Sequence, residues 1–196
     1  LQKFKKSMTK AVPAATESQF NDLGIETYHQ SPHFINKNTL SIEGKTVHAK
    51  HIVIATGQIP RPLDFEGSHT LQTSDDFLNL KKVPKSITFI GAGYIGMEFA
   101  HIAARAGSNV TIIDHGERPL KPFDTDLVSI LTKTSEDLGI DFKCNATVTK
   151  IETLRKNHRI TYTENGQEKT LKSRLIFNTS GRVPAIEALH LEKGNI

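Results

Sequence analysis

The sequence predicts an α/β protein in which a parallel sheet is combined with an antiparallel β-meander. Apolar strand-like and helix-like segments alternate between residues 86 and 138, which is typical of a parallel sheet. Further strand-like segments follow, and Asn165-Gly166, a strong hairpin signal, joins two of them. A chain of 196 residues is long enough for one well-buried domain, or for one domain with parts of another.

The first 60 residues predict a helix followed by short strands. Residues 25–48 are expected to form strands separated by turns at 36–38 and 43–45. The apolar run at 51–57 predicts a buried strand. The helix is expected over residues 1–20 and to end at Gly24, with these residues near one face: Leu1, Phe4, Met8, Val12 and Phe20.

From residue 73 onward the pattern predicts a β-α-β-α order. A short helix at 75–80 precedes a strand at 86–90, a helix that reaches Arg105, a strand at 110–113 and a helix at 125–138. Strands are then expected at 146–153, 159–164, 167–172 and 175–178. The two long helices are expected to turn these apolar residues toward the core: Ile95, Phe99, Ile102 and Ala106 in the first, and Leu127, Ile130, Leu131 and Leu138 in the second.

One near-repeat indicates how the domains are connected. Residues 52–60 and 175–184 each combine a buried strand, a hydroxyl residue near a glycine, and a proline three residues after that glycine. The two copies bracket the β-α-β segment. This arrangement predicts two chain crossings between an inserted domain and its host.

The sharpest motif is Gly91-Ala92-Gly93-Tyr94-Ile95-Gly96, which fits G-x-G-x-x-G between a strand and a helix. Gly91 permits a tight turn, Gly93 lets the backbone approach a pyrophosphate, and Gly96 allows close helix–strand packing. The free N–H groups at the helix start then attract an anion. The motif therefore predicts a Rossmann-like dinucleotide-binding domain, the alternative being a glycine-rich turn without a ligand.

The residue that ends the second strand bears on which dinucleotide is bound. Asp114 stands where an acid is expected to bind the adenosine ribose hydroxyls. A carboxylate there repels a 2′-phosphate, so the sequence favours NAD(H) over NADP(H). His115, Arg118 and Lys121 follow closely and could reverse this preference. Their alternative role is ordinary loop charge.

Taken together, these residues resemble the class I pyridine nucleotide-disulfide oxidoreductases, flavoproteins such as glutathione reductase, dihydrolipoamide dehydrogenase and mercuric reductase. The glutathione-reductase-like branch fits best, and the resemblance covers essentially the whole chain. It is carried, in this order, by these segments: Ile54-Ala55-Thr56-Gly57 with Pro60, Thr73-Ser74-Asp75, the residues from Gly91 to Ala100, Phe123-Asp124, and Gly181-Arg182-Val183-Pro184.

The resemblance implies a domain layout and cofactor contacts. Residues 1–67 resemble the middle of an FAD-binding domain, 68–182 the NAD(P)-binding domain, and 183–196 the start of the return to the FAD-binding domain. The implied cofactor-binding residues, beyond the glycine motif, include Thr56 and Gly57 near the flavin nucleotide and Gly181 beside the nicotinamide. Tyr94 would cover the flavin and Glu98 would lie near nicotinamide and flavin; without the resemblance, a surface aromatic and an exposed carboxylate are the simpler interpretations.

The resemblance also implies what the chain does not carry. A first glycine motif for FAD, a redox pair of cysteines and a dimerisation domain are expected outside these residues, so we expect an inactive fragment of a homodimeric enzyme without catalytic residues of its own. The one cysteine, Cys144, is expected to be a buried structural thiol. A non-catalytic dinucleotide-binding or sensing module is the alternative.

Composition sets broader limits. The net charge of +4 is spread along the chain, and the lysine cluster at residues 3–10 has few aromatic neighbours, so we expect no nucleic-acid partner. No apolar run approaches a membrane span, and we expect a cytoplasmic protein. The pairs His29/His33 and His48/His51 lack further ligands nearby, so no metal site is expected.

Overall fold

The structure is a computed structural model that describes residues 2–196; Leu1, predicted on the first helix face, lies outside the described residues. The chain divides into two compact units, one comprising the residues up to Ile59 together with Pro184–Ile196, the other Pro60–Val183. The chain thus passes between the units at Pro60 and Pro184, the prolines of the two near-repeat segments. The assignment of residues 1–67 and 183–196 to an FAD-binding domain, and of residues 68–182 to an NAD(P)-binding domain, stays a prediction.

The first unit contains two helices and a small antiparallel sheet. Helices α1 (Gln2–Thr9) and α2 (Val12–Asp22) replace the single predicted helix, and Pro13 lies in the first turn of α2, where its missing N–H is tolerated. Strands β1 (His33–Asn36), β2 (Thr39–Ile42) and β3 (Lys45–His48) pair in that order. The ring of Phe34, on β1, is buried against Gly194.

In this unit the first two helices are exposed, and the expected buried strand at 51–57 was wrong. The apolar face of the helices is exposed, with Phe4 at 65% and Met8 at 64% of their full accessibility. Periodicity identifies a face suited to packing, but it does not supply a partner for that face. Residues 51–57 form no strand, and Val53 is 87% exposed. A strand needs a neighbour for its backbone groups, and among residues 2–196 no strand pairs with this segment.

The second unit is built on a four-stranded parallel sheet, as predicted. Its strands are β5 (Ser86–Ile90), β6 (Asn109–Ile113), β7 (Ile140–Lys143) and β11 (Leu175–Asn178), in the spatial order β11-β5-β6-β7. Helices α3 (Ser74–Leu78), α4 (Tyr94–Arg105) and α5 (Thr125–Asp137) accompany it. The chain passes between the units within two short strands, β4 (Gln58–Pro60) and β12 (Arg182–Pro184).

The antiparallel meander was also predicted correctly. It consists of β8 (Ala146–Thr153), β9 (His158–Glu164) and β10 (Gln167–Ser173), in the order β10-β9-β8. Asn165 and Gly166 both have positive φ, +51° and +77°, as the tight hairpin turn between β9 and β10 requires.

The parallel sheet is buried on both faces, which makes its strands continuous apolar runs. In β5, Ile87 and Phe89 pack in the core shared with the helices, whereas Ile90 packs with the meander. Three further aromatic rings complete the helix-side core: Phe77, Phe99 and Phe177. The sheet is therefore the middle layer of the second unit, and the loops described below begin at its strand ends.

The predicted core faces of the two long helices were partly wrong. Helix α4 buries Phe99 as expected but leaves Ile102 48% exposed. Helix α5 buries Val128 and Ser135, while Leu127 and Ile130 are 69% and 66% exposed. Ser135 can be buried because its hydroxyl donates to the Leu131 carbonyl and contacts His101, a pairing that hydrophobicity does not reveal.

Candidate dinucleotide-binding site

The glycine turn follows β5, at the carboxyl edge of the parallel sheet. In chain order the four strands lie as third, second, first and fourth, so the direction of the strand order reverses between β5 and β11. Open α/β sheets bind ligands outside the carboxyl ends of their strands at this reversal. Gly91 ends β5 there, and the residues after β11 lie against it.

Two glycines of the turn are required by close contacts within the protein. Gly91 has a φ of +109°, and a Cβ atom there would lie 2.5 Å from the Thr179 carbonyl oxygen. A Cβ atom on Gly96 would lie 2.2 Å from the Gly91 carbonyl oxygen. Both positions therefore exclude any side chain, and both support the predicted tight turn and the close approach of helix to strand.

Gly93 differs from these two because the protein leaves space around it. Its backbone is extended, with φ −73° and ψ 179°, and the nearest atom to a Cβ placed at this position would be the Thr179 carbonyl oxygen at 4.0 Å. Neither conformation nor packing demands glycine at this position. Glycine at this position leaves the backbone accessible from outside the protein.

The start of α4 offers backbone donors without a competing side chain. Gly93 is the N-cap residue, no side chain caps the helix, and the first turn contains no acidic residue. The first N–H groups of a helix have no partner within the helix, and the helix dipole makes this end partially positive. The arrangement suits a phosphate or pyrophosphate anion.

Thr179, directly after β11, holds the glycine turn and was not identified as a functional residue from the sequence. Its hydroxyl group lies 2.8 Å from the Gly91 carbonyl oxygen and 3.1 Å from that of Ile90, and its N–H donates to Ile90 at 2.8 Å. The side chain is only 5% exposed. The hydroxyl residue shared by the two near-repeat segments was the signal that could have indicated this role.

Asp114 lies directly after β6, as predicted, and its carboxylate binds backbone groups. One oxygen accepts the Ala92 N–H at 2.6 Å, the other the Gly116 N–H at 2.7 Å, and the side chain is 15% exposed. His115 is 86% exposed, with its Nδ1 atom 3.9 Å from the carboxylate. Lys121 is also exposed. The loop thus presents His115 and Lys121 to solvent.

Arg118, the third basic residue of this loop, is directed into the loop itself. Its guanidinium group donates to four backbone carbonyls at 2.9–3.3 Å, those of Pro119, Leu120, Lys121 and Phe123. The loop between β6 and α5 is therefore organised around this side chain. With its donors so used, Arg118 has a structural function in this conformation.

An apolar groove of about 540 Å³ opens beside the start of α4. Tyr94 and Glu98 lie one helical turn apart, and both line the groove. His101 also lines it, and burial, followed by the charge of Arg105, lowers the pKa of His101 below its usual value. The remaining lining residues are apolar: Met97, Ile102, Leu120, Phe123 and Leu131.

Thr56 and Gly57, implied to lie near the flavin, belong to the first unit, and Gly181, implied to lie beside the nicotinamide, belongs to the second. Thr56 and Gly57 lie in the exposed segment that precedes β4, and the Gly57 carbonyl accepts the Ala185 N–H at 3.1 Å. Gly181, in the second unit, has a φ of +119° and accepts the Arg61 N–H through its carbonyl at 2.9 Å. These residues do not by themselves define a flavin site.

The cysteine and the paired histidines outside this site were also considered as candidate ligands or nucleophiles. Cys144 follows β7 rather than lying within a strand, it is half-buried, and burial raises the pKa of its thiol. His29 pairs with Glu17 and His48 with Thr39. Across residues 2–196 no cluster of three metal-ligating side chains occurs, and no helix there is long and apolar enough to span a membrane.

The fold is that of an α/β protein with a glycine turn at the carboxyl edge of its parallel sheet, and comparison with known proteins identifies the family. The model of the family described as "Pyridine nucleotide-disulphide oxidoreductase" matches residues 5–196. The chain belongs to this family. The resemblance seen in the sequence is thereby confirmed, as are the fold class and the enzymatic nature of the family.

Two similar proteins are a mercuric reductase and a dihydrolipoyl dehydrogenase. A mercuric reductase of Bacillus cereus is 32% identical over 178 residues, which are 90% of this chain and 28% of that protein. A dihydrolipoyl dehydrogenase of Geobacillus stearothermophilus is 30% identical, with 98% of this chain and 42% of that protein covered.

A solved structure with a similar fold is the HOCl-induced flavoprotein disulfide reductase RclA from Escherichia coli. It superposes with a TM-score of 0.83 at 28% identity, over 97% of this chain and 45% of that chain. The chain therefore spans less than half the length of each of these three proteins. Family membership implies the use of FAD and a pyridine nucleotide, without distinguishing NAD from NADP.

Proposed function

We propose that this chain binds a reduced nicotinamide dinucleotide, with the pyrophosphate at the glycine turn and the start of α4. The observation that carries the proposal is the contrast among the three glycines. Gly91 and Gly96 are glycine because the protein crowds them, whereas Gly93 faces open space beside uncapped helix donors. A ligand whose anionic group approaches the backbone closely explains the absence of a side chain at Gly93.

The remaining predicted contacts follow from this placement. The groove that begins at Tyr94 and Glu98 is apolar apart from a few polar groups, which suits a flat ring such as nicotinamide. We assign Tyr94 and Glu98 to the nicotinamide end of the site. Ile95 helps to fix the helix on the core, against which it packs. Gly181, after β11, is assigned to the nicotinamide side.

For the adenosine end we propose a preference for NAD(H). The Asp114 carboxylate lies at the carboxyl end of β6, where its charge opposes a 2′-phosphate. Arg118 keeps its charge, but its terminal N–H groups donate to loop carbonyls, which leaves fewer donors for a 2′-phosphate. His115 and Lys121 are the exposed cations that could favour NADP(H).

For the whole protein we propose a flavin-dependent disulfide reductase that acts as a homodimer. The names of the mercuric reductase, the dihydrolipoyl dehydrogenase and the flavoprotein disulfide reductase support the proposed activity, and the homodimer is what the family resemblance implies. The bound nicotinamide would supply hydride to FAD, and this chain's part is to bind and orient the dinucleotide. Cys144 is the single cysteine of the sequence, so a redox pair of cysteines cannot form among these residues.

Calorimetric titration with NADH and with NADPH tests the proposal. We expect NADH to bind more tightly than NADPH. Tighter NADPH binding would overturn the proposed preference and direct attention to His115 and Lys121, which substitution by glutamine would then test. If neither dinucleotide binds to folded protein, the proposed function is wrong for this chain.

A further inference from the structure

The carboxylate of Asp114 connects two loops that border the proposed site. Its Oδ2 accepts the Ala92 N–H, in the glycine turn, at 2.6 Å, and its Oδ1 accepts the Gly116 N–H at 2.7 Å. The carbonyl of Ala92 in turn accepts the Leu120 N–H at 2.9 Å. Both polar backbone groups of Ala92 are thus held by the loop after β6.

The carboxylate itself is fixed to the sheet. The Asp114 N–H donates to the Lys143 carbonyl at 2.9 Å, and the Asp114 carbonyl accepts the Ala146 N–H at 2.9 Å. These bonds hold the backbone of Asp114 against the segments at the end of β7 and the start of β8. The side chain therefore extends from a fixed point to the second residue of the glycine turn, and its 15% exposure leaves little of it open to a ligand.

We propose that Asp114 is a positioning residue, which supports dinucleotide binding by holding the Ala92 N–H and thereby the glycine turn. This inference rests on the proposed function and changes the part that Asp114 plays in it. The carboxylate acts on the pyrophosphate end through the backbone, and a contact with the adenosine ribose is not its main contribution. Short bonds from N–H groups to a carboxylate are among the stronger hydrogen bonds in proteins, which suits a turn whose shape must be fixed before the ligand arrives.

The two roles can be separated with a ligand that lacks one group. NADH and an NADH analogue without the adenosine 2′-hydroxyl are titrated into the wild-type chain and into Asp114→Asn. Asparagine keeps the shape of the side chain but replaces one accepting oxygen with a donor. We expect Asp114→Asn to bind both ligands at least tenfold more weakly, with the ratio of their affinities unchanged within about twofold. A merely structural role would alter stability without this uniform loss in folded protein.

Controls keep the result interpretable. Asp141→Asn removes a half-exposed carboxylate from the adjacent strand β7 and is expected to leave both affinities unchanged. All titrations are made well below the melting temperature of each variant, and an unchanged binding stoichiometry shows that the protein is folded. If the ratio of affinities falls to one in Asp114→Asn, or if that variant binds NADH like the wild type, the inference is overturned.

A measurement on the wild-type chain covers the case in which the variant does not fold. The amide proton of Ala92 is expected to be shifted downfield and protected from hydrogen exchange without ligand, because it is bound to the carboxylate. Rapid exchange of this amide proton would overturn the inference. Failure of the wild-type chain to bind NADH would instead overturn the proposed function, and the Ala92 amide would still report whether the bond exists.

Discussion

The hydroxyl of Thr179 provides the most direct test of how the glycine turn is held. Thr179→Val keeps the shape of the side chain and removes its only donor, which leaves the buried Gly91 carbonyl without the bond at 2.8 Å. An unsatisfied buried carbonyl costs about 1–3 kcal/mol. For a chain of 196 residues this corresponds to a melting temperature lower by about 2–4 °C per kcal/mol.

Thr179→Ser is the matched comparison because it keeps the hydroxyl and loses one methyl group. Burial of such a group contributes about 1 kcal/mol. The chain contains no tryptophan, so urea and thermal unfolding are best followed by circular dichroism, with NADH titration of each variant alongside. We expect Thr179→Val to be both the less stable variant and the weaker NADH binder. A valine variant as stable as the wild type would refute the role assigned to the hydroxyl.

Three further predictions concern single side chains of the second unit. Gly96→Ala should destabilise by about 1–3 kcal/mol through the contact with the Gly91 carbonyl, although alanine normally stabilises a helix; a more stable variant in urea denaturation would contradict the crowding. Asp124→Ala should cost about 1 kcal/mol, because its carboxylate accepts the first N–H groups of α5, and an unchanged urea midpoint would show that this cap is unimportant. The pKa of His101 is lowered from 6.5 by burial, so the folded state binds fewer protons than the unfolded state, and stability should fall as the pH drops below 6.5. The stability of His101→Gln, measured by urea denaturation, should vary less with pH in this range than that of the wild type. Equal pH dependence in the variant and the wild type would contradict a lowered pKa of His101.

The second unit was largely predictable because each of its elements carries a local signal. The strand–glycine–helix order gave β5 and α4, and Asn165-Gly166 gave the hairpin, whose positive φ angles few other residue pairs adopt. The position of Asp114 followed from the same motif. Periods and turn residues are properties of neighbouring residues, so a single sequence reveals them.

The features that were missed depend on contacts between distant residues. Thr179 lies 88 residues from Gly91 in the chain, and nothing local to either predicts their hydrogen bond. The buried Ser135 depends on its contact with His101 across two helices. The expected strand at 51–57 failed for a related reason, since its composition suits burial but no described strand lies beside it.

Binding of a dinucleotide at the start of α4 is best tested by titrating NADH into Gly93→Ala. The added methyl group meets no protein atom closer than 4.0 Å, so the variant should fold with a loss of about 1 kcal/mol or less. Ala106→Gly, at the opposite end of the same helix, is the control. We expect the wild type and the control to bind NADH, and Gly93→Ala to bind it at least tenfold more weakly. Equal affinity in Gly93→Ala and the wild type would contradict this expectation.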